Sequence, residues 1–356
     1  MKIAHVVDSM EVGGAETLVA QLCRLQRAQG HHPSIFAVGP LGALGQRMVD
    51  EGFTVRSDIG SHLSDSARNF YRLFKQLKPD AVHLHNPTPT IYAAAAARLA
   101  GAAAIVSTRH SLIAPPHDRV MELKYAIAAR FCNSVVGICD ATANNLRSLH
   151  TVPRKKILRI YNGAVPLERT APEKLPQKSG FTLVFVGRME PVKNHALLLN
   201  SFRAALSSLP QLRLWMVGDG SERARMESLA AELGIAAQVT FWGQQLDVAP
   251  YFSAADLFIM SSVSEGLPMS LLQAFSLGIP AVVTNVGGMA EVVRAAQAGI
   301  VVPSGDAAAM AQAIVAIAEG GESVRQFSQN AEQAFREKFS LQTMADAYMH
   351  LYRTTT

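Results

Sequence analysis

Two basic side chains and one carboxylate are the residues of this sequence best placed to do chemistry. Arg188 and Lys193 lie in FVGRMEPVKN, and Glu265 lies in SEGLPMSLLQ, each between an apolar run and a helical pattern. Two cations in one loop can hold a diphosphate. A carboxylate beside phosphate is repelled, and is better suited to accept hydrogen bonds from sugar hydroxyls. The alternative is that all three are ordinary solvated charges.

The residues after Glu265 predict a helix start that binds an anion. Pro268 suits the first turn of a helix, where a missing N–H costs nothing. Met269 and Ser270 would present free backbone N–H groups, to which the helix dipole attracts phosphate. The eighth residue after Glu265 is Gln273, a neutral amide.

Glycines occur in three further loops that follow predicted strands. Gly14 lies in EVGGAE after the first apolar run, and a glycine there lets the backbone approach a ligand closely. The segment does not match G-x-G-x-x-G, which argues against a dinucleotide site. Gly218 and Gly220 in VGDGSE, and Gly243 in TFWG, permit open turns after two later strands. Tight-turn chemistry without a ligand is the alternative for all four.

Three histidines come under consideration. His83 and His85 alternate on one predicted strand and therefore share a face, but no third ligand is evident, so we expect no zinc site. His110 lies in STRHS, just past a predicted strand, which places it at the edge of a ligand-binding cleft. A structural role is the alternative for a lone histidine.

Short Val/Ile-rich runs alternate with amphipathic stretches along nearly the whole chain, and this predicts parallel sheets covered by helices on both faces. Two such series, separated by a proline-rich break at 166–180, predict two doubly wound domains of the α/β class. We place an N-terminal Rossmann-like domain at 1–166, a linker at 167–180, a second Rossmann-like domain at 181–340, and a C-terminal helix at 341–356 that packs back on the first domain. Acceptor contacts would lie in loops such as 41–46 and 111–119.

Composition limits the class of protein further. The 356 residues are 49% hydrophobic and 17% charged, with a net charge of +5, which fits a well-packed protein with anionic small ligands. No long Lys/Arg block is present, so we expect no nucleic-acid partner. Cys23, Cys132 and Cys139 have neither disulfide nor zinc spacing, which favours reduced thiols in a cytoplasmic protein. The first residues form a strand pattern, and no apolar run reaches membrane-spanning length.

One helical segment leaves a membrane question open. In SARNFYRLFKQLKP, Phe70 and Phe74 belong to an apolar stripe, and Arg68, Arg72 and Lys75 lie on another face. Such a helix could dock on anionic lipid. The alternative is a core-packed helix with a solvated basic face.

Together these motifs resemble the GT-B-fold retaining glycosyltransferases of family 4, which use nucleotide sugars. The matching segments are GGAE, TRH, the turn Asn162-Gly163, VGRMEPVKN, VGDG and SEGLPMSLLQAFSLGIPAVVTNVGG, and they occur in the family's order along nearly the whole chain. The resemblance implies two domains facing across a cleft, with the acceptor bound by the first and the nucleotide sugar by the second. A peripheral contact with the inner face of a membrane stays open.

The resemblance also implies roles for individual residues. Arg188 and Lys193 match the basic pair that holds the donor diphosphate and stabilises its charge as it leaves. Glu265 matches the first acid of the family's E-x7-E motif, which contacts donor sugar hydroxyls, and Met269 and Ser270 match the backbone amides at the phosphates. The remaining matched positions are Gly14 near the diphosphate, His110 near the transferred sugar, Glu190 in the Arg/Lys loop, and the donor-binding turn residues Gly218, Gly220, Gly243, Gly266 and Leu267.

Gln273 departs from the family, because the second acid of E-x7-E binds the ribose hydroxyls. A neutral amide makes weaker hydrogen bonds than a carboxylate, so we expect ribose binding to be weaker by roughly tenfold at most, or a changed nucleotide preference.

The expected mechanism follows from charge. The transition state resembles an oxocarbenium ion, and Arg188, Lys193 and the helix start would stabilise the departing diphosphate. No Asp-x-Asp motif lies near a predicted active loop, so we expect neither a required cofactor nor a required metal. No carboxylate nucleophile is evident opposite Glu265, which favours a same-face route with retention, assisted by the leaving phosphate.

The donor is expected to be a UDP-sugar and the acceptor a hydroxyl group. The alternatives are a GT-B sugar-nucleotide epimerase or phosphorylase, and a non-catalytic nucleotide-sugar binder.

Overall fold

The computed structural model describes residues 1–59, 63–112, 118–171 and 178–354, and of residues 63 and 64 only the backbone. The predicted linker at 167–180 and the predicted acceptor loop at 111–119 therefore lie partly outside the described residues. The chain divides into two compact units. The first contains residues 1–163 and 341–356, and the second contains residues 164–340.

The first unit is built around a seven-stranded parallel sheet in the order β3-β2-β1-β4-β5-β6-β7. The apolar strands β1, β2, β4, β5 and β6 are buried, as expected for a sheet covered on both faces, whereas the edge strands β3 and β7 are largely exposed. The strands are β1 Lys2–Val7, β2 His32–Ala37, β3 Thr54–Arg56, β4 Ala81–His85, β5 Ala104–Arg109, β6 Ser134–Gly137 and β7 Ile157–Arg159.

Helices connect these strands, as parallel pairing requires. They are α1 Gly14–Ala28, α2 Gly42–Asp50, α3 Leu63–Leu77, α4 Pro87–Ala100, α5 Arg119–Ala129 and α6 Asp140–Ser148, and the chain returns to this unit at its end as α14, Leu341–Thr354. A short 3-10 turn, Arg154–Lys156, precedes β7.

The second unit repeats the plan with a six-stranded parallel sheet in the order β10-β9-β8-β11-β12-β13. Its strands are β8 Thr182–Val186, β9 Arg213–Val217, β10 Val239–Gly243, β11 Leu257–Met260, β12 Ala281–Thr284 and β13 Gly299–Val302. Its helices are α7 His195–Leu206, α8 Arg223–Glu232, α9 Ala249–Ala254, α10 Met269–Ser276, α11 Gly287–Ala296, α12 Ala307–Ala318 and α13 Glu322–Ala334. A π-helical turn, Phe335–Phe339, ends it.

The prediction of two doubly wound, Rossmann-like sheets is confirmed. The short strand β3 is an addition, because TVR is too brief to carry a detectable apolar run. The apolar stripe on α3 belongs to the core of the first unit: Phe70 and Phe74 are fully buried, while Arg68, Arg72 and Lys75 are exposed. Docking on lipid through that stripe is therefore excluded. No helix among the described residues is long and apolar enough to cross a membrane.

Candidate active site

Strand order locates one crevice in each unit. In a doubly wound sheet, ligands bind beyond the carboxyl ends of the two strands from which the chain proceeds in opposite directions. In the second unit these strands are β8 and β11, and in the first unit they are β1 and β4. The loops after β8 and β11 carry Arg188, Lys193 and Glu265. The three residues singled out for their chemistry therefore follow the two central strands of one sheet.

The loop after β8 holds the two cations differently. Arg188 is exposed, and within the described part of the chain its guanidinium has no hydrogen-bond or ion-pair partner. Lys193 ends a 3-10 turn, Pro191–Lys193, after which Asn194 takes a positive φ of 49° and starts α7. Arg188 and Lys193 thus lie in one loop, Arg188 exposed and Lys193 largely buried. Glu190 accepts a hydrogen bond from Ser221 at 2.9 Å.

Glu265 and Lys193 form a direct ion pair in this structure. Their side chains are only 18% and 15% exposed, so the pair is shielded from the screening that weakens surface salt bridges. The Ser262 hydroxyl lies 3.4 Å from the same carboxylate. The Ser261 hydroxyl donates to the carbonyls of Lys193 at 2.9 Å and Asn194 at 3.0 Å. The loops after β8 and β11 are thereby joined at one site.

The Glu265 loop is also held from the side of β12. Gly287 has a φ of 51°, and a Cβ on it would lie 1.7 Å from the carbonyl oxygen of Glu265. The N–H of Gly288 donates to the carbonyl of Gly266 at 2.7 Å. A glycine is required at 287 for both reasons, and its close approach fixes the backbone that presents Glu265.

Gly218 and Gly220 serve the Arg188 loop directly. Their φ values are 135° and 156°, and added Cβ atoms would lie 1.9 Å from the carbonyl oxygen of Gly187 and 2.5 Å from that of Met189. The N–H of Met189 donates to the carbonyl of Asp219 at 2.8 Å, and the N–H of Gly218 donates to the carbonyl of Gly243 at 2.8 Å. These glycines let three strand-end loops share backbone hydrogen bonds. Donor contact by Gly218, Gly220 and Gly243 stays a prediction.

Helix α10 begins at Met269, with the extended Pro268 at its N-cap and no side-chain capping bond. The first N–H groups of a helix have no partner within it, so Met269 and Ser270 can offer donors to an anion. Leu267 is 3% exposed, and only its backbone can face a ligand. Gln273 lies one turn further on, half-buried, and its own carbonyl accepts from Ser276 at 2.7 Å.

The crevice of the first unit contains different chemistry. Gly14 opens α1, and a Cβ there would meet nothing within 4 Å, so the space in front of it is open. His5, on β1, stands beside His83 and His85 on β4, and His110 follows β5. A third histidine, which was not evident from the sequence, therefore accompanies His83 and His85, and the expectation of no zinc site stays a prediction. The pairing of β1 with β4 supplies this histidine from 78 residues away.

The grouping of His5, His83 and His85 has the spacing of a metal site. Its ring nitrogens, however, are engaged with protein partners. His5 bonds Gln26 at 2.9 Å and His85 at 3.1 Å, and His83 bonds Thr108 at 2.7 Å and the Tyr352 hydroxyl at 2.6 Å. A metal would have to break these bonds, and we assign none there.

Burial keeps all four rings neutral. It lowers the pKa of His5 to about 4, although the bond to Gln26 opposes the shift, and it lowers the pKa of His110 to about 4. The pKa values of His83 and His85 lie well below the usual value, first because of burial and then because the neighbouring histidines repel a second charge.

Two residues of this crevice were not singled out from the sequence. Asn86, with a positive φ of 75°, accepts from the backbone N–H of His110 at 3.2 Å and donates to Asp8 at 3.3 Å. Burial raises the pKa of Asp8, while hydrogen bonds from Thr88 and Asn86 oppose the shift. Their position in the sequence could have identified them, because Asp8 and Asn86, like His110, directly follow strands: β1, β4 and β5 respectively.

Two Rossmann-like units in one chain, each with a polar crevice at its strand-order switch, define a protein of GT-B architecture. The model described as glycosyl transferases group 1 matches residues 168–334, and the model described as Glycosyltransferase Family 4 matches residues 12–166. The chain belongs to glycosyltransferase family 4 and is a glycosyltransferase.

Individual relatives agree with this assignment. The chain is 34% identical over 147 residues to the lipopolysaccharide core biosynthesis glycosyltransferase LpsE of Rhizobium meliloti, a match spanning 41% of this chain and 43% of that protein. It is 26% identical over 304 residues to the Escherichia coli UDP-Gal:alpha-D-GlcNAc-diphosphoundecaprenol alpha-1,3-galactosyltransferase, covering 80% of this chain and 78% of the other. The crystal structure of Anabaena HepE in complex with UDP superposes with a TM-score of 0.87 at 20% identity, covering 99% and 100% of the two chains.

Proposed function

We propose that this glycosyltransferase moves a sugar from a nucleoside diphosphate sugar, with UDP as the favoured nucleotide, to a hydroxyl acceptor, and that it retains the configuration of the anomeric carbon. The observation that carries the proposal is the ion pair of Lys193 with Glu265 beyond the central strands of the second unit, with the exposed Arg188 in the same loop as Lys193. A diphosphate needs positive potential, and this crevice offers an unpaired guanidinium, an ammonium and the N-terminus of α10.

The pairing of Lys193 with Glu265 gives these residues a division of labour. Glu265 holds the ammonium of Lys193 in place, so that Lys193 is oriented before a diphosphate arrives. The carboxylate has a second oxygen, which can accept a hydrogen bond from a donor sugar hydroxyl. Arg188, free of internal partners among the described residues, supplies the charge that stabilises the departing diphosphate. Gly266 and the first amides of α10 complete the anion site.

The bond changes balance without a metal or cofactor in the proposed step. The acceptor oxygen forms a bond to the anomeric carbon as the bond from that carbon to the diphosphate oxygen breaks. The acceptor proton passes to the departing phosphate oxygen, on the same face of the sugar. Retention is therefore expected, and the anomeric coupling constant of the product in proton NMR will test it; an inverted product would refute this route.

A panel of UDP-, GDP- and ADP-sugars tests the proposal as a whole. We expect release of the nucleoside diphosphate from at least one UDP-sugar, and faster release when an acceptor extract is added. UDP is favoured because HepE was crystallised with it, and a saccharide acceptor is favoured because LpsE acts in lipopolysaccharide core biosynthesis. Binding of a nucleotide sugar without turnover would instead indicate a non-catalytic binder, and interconversion of the donor without an acceptor would indicate an epimerase.

A membrane contact belongs to this proposal, but through α5 and not through α3. On α5, Val120, Leu123 and Ile127 are 60%, 62% and 51% exposed and recur at helical spacing, so they share one face. The exposed cations Arg119, Lys124 and Arg130 flank this stripe. An aliphatic stripe with basic flanks fits the surface of an anionic bilayer, and the acceptor of the Escherichia coli relative is lipid-linked by its name.

Liposome flotation tests this contact with matched variants. Replacing the three α5 cations by Gln should release the protein from anionic vesicles, whereas the same change at Arg68, Arg72 and Lys75 of α3 should have little effect. If binding depended on net charge alone, the two triple variants would lose the same amount of vesicle binding. An oligomer detected by light scattering would instead assign the α5 face to a second copy of the chain.

A further inference from the structure

Three buried side chains of the first unit and the half-buried His110 form one hydrogen-bonded file. Gln26 Oε1 lies 2.9 Å from His5 Nε2, His5 Nδ1 lies 3.1 Å from His85 Nε2, and His85 Nδ1 lies 3.1 Å from His110 Nε2. The file runs from the middle of α1, across β1 and β4, to the residue after β5. It therefore connects the interior of the unit with the edge at which ligands bind.

Proton counting along this file fixes where each proton lies. A neutral imidazole has one N–H and one bare nitrogen, and an amide oxygen only accepts. His5 must then donate from Nε2 to Gln26, which leaves its Nδ1 to accept from His85 Nε2. By the same step His85 Nδ1 accepts from His110 Nε2. The last bare nitrogen of the file is Nδ1 of His110.

The neutrality that this counting needs is supplied by burial. His5 and His85 are 0% and 3% exposed, and burial lowers the pKa of each histidine in the file. His83 stands outside the file, because its two nitrogens are held by Thr108 and Tyr352.

His110 Nδ1 is buried and has no hydrogen-bond partner among the described residues. Leaving a buried acceptor unpaired is costly, and such groups in native proteins call for an explanation. The ring cannot turn away to find a partner, because its backbone N–H is bound to Asn86 and its Nε2 to His85. A bare nitrogen repels phosphate and carboxylate but accepts a hydrogen bond from a hydroxyl.

We propose that Gln26, His5 and His85 are positioning residues that fix the tautomer of His110, so that its Nδ1 accepts a hydrogen bond from a hydroxyl of the sugar substrate. The identity of the hydroxyl donor rests on the proposed function, whereas the fixed tautomer does not. The orientation of the Gln26 amide decides which nitrogen of each histidine is protonated. If the amide nitrogen faced His5 in place of the oxygen, every histidine of the file would carry its proton on the other ring nitrogen.

Ring tautomers can be measured directly by NMR on protein labelled with 15N-histidine and deuterium. We expect the ε-protonated pattern for His5, His85 and His110, with each ring assigned by single His→Gln variants. A proton on Nδ1 of His110 would overturn the proposal. This measurement needs no substrate and no turnover, so it is independent of the proposed function.

A pair of substitutions on α1 tests the positioning role. Gln26→Met removes the acceptor at similar volume and should leave His110 as a mixture of tautomers, with kcat/KM lower by up to about tenfold, as for one lost neutral hydrogen bond. Gln21→Met on the same helix is the matched control, because Gln21 is not part of the file. Unchanged tautomers in Gln26→Met would refute the positioning role, even if the variant is less stable.

The hydroxyl is tested by adding UDP-glucose or UDP to the labelled protein. We expect UDP-glucose, but not UDP, to shift the Nδ1 resonance of His110 in the direction of an accepted hydrogen bond. Calorimetric binding of UDP-glucose with an unmoved resonance would refute the hydroxyl contact. If UDP-glucose does not bind, the UDP-sugar that is turned over in the donor panel replaces it in this titration, and an unmoved resonance with that donor bound would refute the hydroxyl contact.

Discussion

The crevices of the two units share a topology and differ in charge. In the second unit, the loops after β8 and β11 carry the ion pair of Lys193 and Glu265, with the exposed guanidinium of Arg188 nearby in the chain. In the first unit, β1 and β4 contribute the neutral, buried rings of His5, His83 and His85. The position of a ligand follows from strand order, but its chemical class follows from the few residues after each strand. One crevice suits an anion, and the other suits uncharged hydroxyls.

Acid should destabilise the first unit more than the second, and this is the largest effect expected. His5 and His110 have pKa values of about 4 in the folded first unit, against about 6.5 when unfolded. Their contribution to stability is fully present above pH 6.5 and is lost as the pH falls towards 4, because the unfolded chain binds protons first. Between about pH 7.5 and about pH 5, each costs about 2 kcal/mol, and His83 and His85 act in the same direction. The second unit has His195 alone as a comparable buried ring, also with a pKa of about 4.

The chain provides a native reporter for each unit. Cys23, Cys132 and Cys139 are all buried in the first unit, and Trp215 and Trp242 both lie in the second. Urea titrations at the two pH values should show thiol labelling moving to lower urea further than tryptophan fluorescence does. Equal movement of both probes would contradict the assignment of the acid sensitivity to the histidines of the first unit.

Arg188→Ala should cost the most in catalysis. Removing one preorganised charge at a departing group lowers kcat by about 10²–10³-fold, and the exposed side chain contributes little to folding. Steady-state kinetics with the best UDP-sugar, together with the thermal midpoint, measure both effects. Arg325→Ala is the matched control, since Arg325 is an 80% exposed arginine of the same unit that forms an ion pair with Glu322. A rate equal in both variants would remove Arg188 from the donor site.

A double-mutant cycle on Lys193 and Glu265 measures whether the ion pair acts as one unit. Glu265→Gln leaves the ammonium of Lys193 partly buried without its charged partner, and we expect kcat/KM to fall by roughly 10–100-fold, with a coupling of about 1–3 kcal/mol. Lys193→Met and the double variant complete the cycle. Strictly additive losses would show that Glu265 contacts the donor without orienting Lys193.

Sequence patterns predicted one crevice better than the other. Arg188, Lys193 and Glu265 lie in short segments whose motifs are local, so the polar residues of the second unit's crevice could be found from the sequence. In the sequence, His5 within KIAHVV is recognisable only as a strand residue. In the structure, the pairing of β1 with β4 places it opposite His83. The intervening strands β2 and β3 lie on the other side of β1, and no local pattern reveals this pairing. The direct contact between Lys193 and Glu265 likewise needs the neighbouring positions of β8 and β11.

Gln273→Glu should have the smallest effect and would sharpen the chemistry of the anionic crevice. The side chain lies one helical turn beyond Met269 and Ser270, whose amides we propose to bind phosphate. A carboxylate would strengthen hydrogen bonds from ribose hydroxyls, which raises affinity by roughly tenfold at most. It would also stand nearer to the diphosphate and repel it, so the gain should be larger for a free nucleoside than for the nucleoside diphosphate. Calorimetry with uridine and UDP separates the gain in ribose binding from the repulsion of the diphosphate. Unchanged affinity for both would place the ribose elsewhere in the second unit, and the neutral residue at 273 would then have no part in nucleotide binding.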